Sequence, residues 1–348
     1  MATFTQRQSG WWQAVIRRKG HAQQSRTFPT KNDAEIWARD VESQMDRRVF
    51  VDRAEAEATT LLAALDRYAR EVTSKKKSAA REGARILVWQ GHQLAARSLA
   101  SLRASDLAAY RDERLAAGLA PATVRLELSI ISHLFSIAAK EWGLPVQNPV
   151  GAIRMPRVAN ARNRRLEGDE EAWLLESLSK CRNTWMRPAF VLAIETAMRQ
   201  GELLALEWRN VDLKRRTAKL PDTKNGTERI VPLSSRAVSV LEGLPRSVNG
   251  RVVQTTQGAI IQSWERIVLR ARLAYEKAQI SAGAKPKDVL ADPTLRDLRW
   301  HDLRHEATSR LAEKLQMHEL MKVTGHKDSR MVARYYHPRA EDLALKIG

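Results

Sequence analysis

The spacing of hydrophobic residues changes along the chain, and each change predicts a different kind of element. Near the start, Gly10-Trp11-Trp12-Gln13-Ala14-Val15-Ile16-Arg17 has the aromatic and β-branched content of a strand. Lys19-Gly20 reads as a turn and Ser25-Arg26-Thr27-Phe28 as the returning strand. Ala34, Trp37, Ala38, Val41 and Met45 then recur at helical spacing, and Thr30 stands three residues before Asp33 as a capping signal. From Thr59 to about Trp142 the pattern is helical throughout. Leu61, Leu62, Leu65 and Tyr68 form one stripe, Ser105 caps a second helix that Gly118 closes, and Pro121 opens a third through Leu126, Ile130, Leu134 and Ile137.

The segment from Gly143 to Arg165 breaks this pattern with Pro145, Pro149 and Pro156 and carries Arg154, Arg157, Arg162, Arg164 and Arg165, the composition of a basic linker. Helices resume at about Glu167, with Trp173, Leu174 and Leu178 inward, and Pro188 to Ala197 predicts an apolar buried helix. Arg216-Thr217-Ala218-Lys219-Leu220 and Glu228-Arg229-Ile230-Val231 flank Asn225-Gly226, a hairpin signal; further helices are expected near 257–275, 302–313, 316–324 and 328–336. The expected organisation is a small N-terminal domain over 1–56, a helical domain over 59–145, a linker over 146–165 and a mixed α/β domain over 166–348. The fold class is mainly α with small β elements.

Charge narrows the possible partners. The 348 residues include 59 Lys and Arg against 40 Asp and Glu, a net charge of +19, and 43% are hydrophobic, enough to build cores and to exclude wholesale disorder. Residues 61–165 hold 18 basic and 8 acidic groups, more than half of the excess. A solvated helical surface normally mixes both signs, so this imbalance points to nucleic acid. Candidate phosphate contacts are Lys75, Lys76 and Lys77, the five linker arginines, and Arg17, Arg18 and Lys19 at the tip of the predicted hairpin. The single cysteine, Cys181, cannot form an intrachain disulfide, which fits a reducing cytoplasmic setting. The absence of an apolar run of about 18 residues argues against membrane spanning and secretion.

Two arginine-centred clusters carry candidate chemistry. In the first, Thr196-Ala197-Met198-Arg199-Gln200-Gly201-Glu202, Arg199 follows the apolar helix and Glu202 lies three residues on. An arginine held by a carboxylate can present its planar fork to a phosphate; the alternative is a structural ion pair. In the second, His301-Asp302-Leu303-Arg304-His305, helical spacing puts His301, Arg304 and His305 on one face and Leu303 towards the core. Two histidines four apart also suit zinc, but no HExxH glutamate or nearby cysteine accompanies them. Gly325-His326 and Arg334-Tyr335-Tyr336-His337 follow, and Lys224 sits on the predicted hairpin. A phenol, with a pKa of about 10, becomes a useful nucleophile only where cations stabilise its developing charge.

In this order and with these neighbours, Arg199, Lys224, His301, Arg304, His326 and Tyr335 resemble the active site of the tyrosine recombinases, or phage integrases. The resemblance spans the catalytic half: Arg-x-x-Glu-Leu, the hairpin lysine before Arg229-Ile230-Val231-Pro232-Leu233, His-x-x-Arg-His, Gly-His, and Tyr-x-His nine residues after His326. That spacing selects Tyr335 over Tyr336. Many members carry glycine where this chain has Ala197, a change expected to cost little. Thr123-Val124-Arg125-Leu126-Glu127-Leu128 and Glu195 to Glu202 resemble plasmid shufflon recombinases, which invert DNA segments.

The resemblance implies a helical core-binding domain and a mixed α/β catalytic domain closing as a clamp on DNA, with the N-terminal hairpin and helix as an arm-type or accessory DNA-binding domain. It implies transesterification without metal or other cofactor. Tyr335 attacks the phosphorus, Arg199, Arg304 and His326 stabilise the phosphoryl oxygens, and Lys224 protonates the leaving 5′-oxygen. His301 serves as base or as a hydrogen-bond partner of the phosphate, and Glu202 and His305 orient these groups. The implied partners are double-stranded DNA with specific sites, a homo-tetramer in synapsis and accessory DNA-bending proteins; the implied location is cytoplasmic and nucleoid-associated, for a protein of bacterial or phage origin. The rival readings are a type IB topoisomerase, a non-catalytic DNA-binding regulator and a two-metal nuclease.

Overall fold

The computed structural model describes residues 2–47, 50–158, 162, 164–221, 228–246 and 248–336. The chain divides into two compact units, Met1–Asn160 and Ala161–Gly348.

The first unit opens with three strands, β1 (Ala2–Gln6), β2 (Trp12–Ile16) and β3 (Gln24–Phe28), paired antiparallel in that order. The expected hairpin is therefore a three-stranded meander. Its first strand escapes the sequence pattern because Phe4 is its one large apolar residue. Helix α1 (Lys31–Asp46) starts where predicted, with the Thr30 hydroxyl accepting from the Asp33 N–H at 3.2 Å. It buries Ala38, Val41 and Met45 against Ile16.

The helical part of this unit comprises α2 (Ala54–Ala58), α3 (Leu61–Glu71), α4 (Ala79–Gln90), α5 (Ala104–Ala116) and α6 (Pro121–Lys140). Helix α3 buries Leu61, Ala64, Leu65 and Tyr68 while Leu62 faces out, and α6 buries Val124, Leu128, Ile131, Leu134 and Phe135 while Leu126 faces out. The cap of α5 is Arg103, whose N–H donates to Asp106 at 2.8 Å, so Ser105 lies inside the helix. Helix α4 occupies the stretch after the lysine run and delivers Trp89, stacked on Tyr110 at 3.8 Å. By length and composition α6 is apolar enough to cross a membrane, but its apolar face lines this core. Glu127 on α6 is 2% exposed and accepts from Tyr110 at 2.8 Å and from both ends of the Arg114 fork.

The second unit contains α7 (Glu170–Ser179), α8 (Met186–Thr196), α9 (Gln200–Ala205), β4 (Val211–Asp212), β5 (Thr217–Leu220), β6 (Arg229–Pro232) and α10 (Ser235–Glu242). They are followed by α11 (Gln257–Ser281), α12 (Pro286–Ala291), α13 (Asp302–Ala312), α14 (Met317–Thr324) and α15 (Ser329–Ala333). Helix α8 is buried along most of its length, with Phe190 stacked near Trp264 and Trp264 edge-on to Trp300. Strands β4, β5 and β6 form an antiparallel sheet in which Ala218 faces Val231. The predicted hairpin strands thus pair, while its tip with Lys224 lies outside the described residues.

The expected linker is tied down on both sides wherever it is described. Arg111 donates to the Arg154 carbonyl at 2.8 Å and Pro156 is buried, whereas Arg162, Arg164 and Arg165 are held by carboxylates of the second unit. Glu127→Ala would leave Arg114 and the Tyr110 phenol without their buried acceptor. It is expected to lower the stability of the first unit by about 3 kcal/mol, read as a lower urea midpoint for its unfolding.

Candidate active site

Helix α8 ends in a left-handed turn at Ala197, with φ of +51°. That turn releases the chain so that Arg199 becomes the residue preceding α9. Glu202, in the first turn of α9, accepts from the Arg199 N–H at 2.8 Å and from its guanidinium at 2.9 Å. The left-handed turn makes alanine at 197 more costly than expected, by about 1 kcal/mol relative to glycine.

The same Glu202 carboxylate receives a second fork, from Arg229 on β6, at 2.8 and 2.7 Å. Burial alone would raise the Glu202 carboxyl, but Arg229 and Arg199 outweigh it and hold the group below its ordinary value. No motif gives Arg229 a role. Its signal was parity: Arg229 alternates with Val231 and Leu233, both buried, while Ile230 between them is 56% exposed. An arginine on the inward face of a strand needs a buried acid, and Glu202 supplies it.

Arg304, in the first turn of α13, is 6% exposed, and Leu303 beside it is fully buried, as the helical spacing predicted. Its guanidinium donates to the carbonyl of Ala197 and, at 2.6 Å, to that of Thr324. Burial, followed by repulsion from Arg199, lowers its pKa to about 9, so it remains charged at neutral pH. Thr324 ends α14 and Gly325 follows in the left-handed region, with φ of +70°. The Thr324 hydroxyl donates to Leu320 and lies 2.6 Å from Nδ1 of His326, so Nδ1 carries the ring proton of that contact. Burial and then Arg304 and Arg199 lower the pKa of His326 to about 4.

The two tyrosines are distinguished by their partners. The Tyr336 hydroxyl donates to the Leu315 carbonyl at 2.5 Å, and burial raises its pKa. The Tyr335 hydroxyl lies 2.5 Å from Nδ1 of His305, and its ring is 6.5 Å from that of His326. Arg334 stands over the Tyr335 ring, with Nη2 3.4 Å from the hydroxyl. The structure thus gathers Arg199, Glu202, Arg304, His305, His326 and Tyr335. His301 caps α13 with an exposed ring 5.3 Å from that of His305. An open cleft of about 780 Å³ adjoins them, lined by Glu228, Arg229, His318, Lys322, His326 and Lys327 among others.

Several expected phosphate contacts have internal partners. Lys76 is bonded to Glu82 at 2.7 Å and to the Tyr68 hydroxyl at 2.8 Å. Arg162 clamps the buried Asp302 at the start of α13 at 2.7 Å, Arg164 pairs with Glu170, and Arg165 with Glu306 at 3.2 Å. Arg18 is held by Asp46 and the Glu42 carbonyl. Each of these five cations lies against an acid, six positions away for Lys76 and Arg164 and 28 to 141 positions away for the other three. Arg17, Lys19, Lys75, Lys77, Arg154 and Arg157 are exposed.

Comparison with known proteins decides the family. The model of the phage integrase family matches residues 164–342, over half of the chain. The chain belongs to that family. A shufflon-specific DNA recombinase of Escherichia coli is 38% identical over 83% of this chain and 71% of its own length. Among solved structures, the Tn1549 transposon integrase with circular intermediate DNA superposes with a TM-score of 0.63 at 17% identity, covering 84% of this chain and 100% of that one. A lambda integrase tetramer on a Holliday junction gives 0.62 at 18% identity, covering 97% and 95%. These likenesses bear out the mainly helical recombinase fold, and the protein is a tyrosine site-specific recombinase.

In this recombinase, Gly325 touches the Arg229 fork. A Cβ at 325 would stand 2.8 Å from Arg229 Nη1, in a backbone conformation that already disfavours a side chain. Gly325→Ala is expected to displace Arg229, loosen Glu202 and slow DNA cleavage by on the order of 10- to 100-fold. Gly258→Ala, which meets no atom within 4 Å, should leave the rate unchanged. Single-turnover cleavage of a site-bearing duplex distinguishes the two.

Proposed function

We propose that Tyr335 attacks a DNA phosphodiester to leave a 3′-phosphotyrosyl bond and a free 5′-hydroxyl, which a second DNA end then uses to rejoin. The observation that carries this reading is the contrast between the adjacent phenols: Tyr336 is tied to a backbone carbonyl, while Tyr335 points its hydroxyl into the histidine and arginine cluster. Arg199 and Arg304 would hold the non-bridging oxygens and stabilise the pentavalent transition state. His326 would add a hydrogen bond once the phosphate charge offsets the arginines that now disfavour its protonation. His301 would contact the phosphate from the head of α13, and Lys224 would protonate the 5′-oxygen. Because the bond energy is retained in the phosphotyrosine, strand exchange would need neither ATP nor metal.

The second unit would be the catalytic domain from about residue 166, the helices of 59–145 the core-binding domain, and the β1–α1 module an accessory DNA-binding domain. The exposed Arg17, Lys19, Lys75, Lys77, Arg154 and Arg157 would contact DNA phosphates. The tetramer on a Holliday junction supports four protomers in synapsis, and the shufflon-specific relative supports inversion as the outcome. Such a protein would act in the bacterial or phage-infected cytoplasm, on the nucleoid, with accessory DNA-bending proteins as further partners.

A nicked suicide duplex built on the repeats flanking the gene tests the chemistry. Wild type should become covalently trapped in EDTA, Tyr335→Phe should not, and Tyr336→Phe should retain the adduct; trapping by Tyr335→Phe would remove the nucleophile. Lys224→Ala should lose cleavage and regain it when sulfur replaces the bridging 5′-oxygen, since a thiolate leaves without a proton. No recovery would take the acid role from Lys224.

A further inference from the structure

The geometry points to His305 as the residue that takes the proton from the attacking Tyr335 and returns it during rejoining. This rests on Tyr335 being the nucleophile. His305 follows Arg304 on α13, and its half-buried ring places Nδ1 2.5 Å from the Tyr335 hydroxyl, with the rings 28° from coplanar. The second partner of that hydroxyl is a donor only. Arg334 approaches the oxygen at 3.4 Å and takes one of its lone pairs, which leaves the O–H available to His305, the one acceptor bonded to it among the described residues. Nδ1 is then the acceptor, and the neutral ring carries its hydrogen on Nε2.

As the Oη–phosphorus bond forms and the 5′-oxygen bond breaks, the phenolic proton passes to Nδ1 and His305 becomes an imidazolium. The 5′-oxygen leaves with the proton from Lys224. In rejoining, the incoming 5′-hydroxyl returns its proton to the lysine, and the departing tyrosyl oxygen recovers its own from His305. The groups facing His305 are His301, Asp302 and Arg304 on its own helix and Arg334 and Tyr335 beyond α15. Burial first, and then His301 and Arg334, lower its pKa to about 4, so the ring is neutral and able to accept at pH 7. A bound phosphodiester opposes the arginines and would move that value back towards neutrality, where a base works best.

Two substitutions separate proton transfer from positioning. In His305→Asn the side-chain oxygen replaces Nδ1 as an acceptor but cannot carry the proton; His305→Ala removes both functions. Single-turnover adduct formation on the suicide duplex would be followed from pH 5.5 to 9.5 with the full-length protein. Wild type should reach a plateau. Both variants should be about 100-fold slower at pH 7 and should accelerate with hydroxide across the range, with duplex affinity unchanged. If His305→Asn keeps the wild-type profile within about threefold, the histidine only positions the tyrosine and the proposal is overturned. If Tyr335→Phe still forms the adduct, the nucleophile reading falls and this one with it.

Discussion

The site depends on one buried cation, Arg304, and on what neutralises it. Removing a guanidinium from water is costly unless its donors are met. Here they are met by the Ala197 carbonyl at the end of α8 and the Thr324 carbonyl at the end of α14. Helix C-termini leave carbonyls without intrahelical partners and carry partial negative charge, so two such ends suit a buried cation. Both helices are followed or ended by a left-handed residue, Ala197 or Gly325, which turns the chain away while leaving the carbonyl in place. Arg199 comes two residues after one of these carbonyls, His326 two after the other, and His305 directly follows the cation itself. One electrostatic contact therefore sets the starting position of each of these side chains.

That arrangement leaves the site short of negative charge. Arg199, Arg229, Arg304 and Arg334 all lower the pKa of His326, whereas Glu202 is the carboxylate bonded to the first two of them. The low pKa values of His305 and His326 and the depressed value of Arg304 share an origin in burial among like charges. An anion with several oxygens would relieve this repulsion, and a pentavalent phosphorane with more charge would relieve it further than the ground-state diester. The folded protein carries this electrostatic cost without substrate, so little reorganisation would remain for the chemical step proposed above.

Local signals made much of this legible. The Thr30 cap, the paired strands around Asn225-Gly226, and α13 to α15 follow from spacing and turn chemistry. The errors come from two sources. Periodicity selects a face within a residue or so, which is why Leu62 and Leu126 prove exposed, and it cannot weigh a short edge strand such as β1. Tertiary pairing has no linear signature: Arg162 and Asp302 are 140 positions apart, and Glu202 and Arg229 are 27 apart. The motif Arg-x-x-Glu identified Glu202 as the partner of Arg199. Nothing in the linear spacing says that the same carboxylate serves a second arginine, or that His305 rather than a more distant group meets the tyrosine.

The positive charge also takes a different distribution once the folded units replace the sequence segments. Arg162, Arg164 and Arg165 fall in the stretch that made 61–165 look most basic, but their carboxylate partners Asp302, Glu170 and Glu306 are in the second unit. Divided at the boundary between Asn160 and Ala161, the net charges become +9 and +10. The excess is therefore shared almost equally between the two units. Each unit carries enough net charge to attract a phosphate backbone on its own. The second directs part of its share to Arg199 and Arg304, whose positions are fixed by Glu202 and by two helix ends before any DNA is bound.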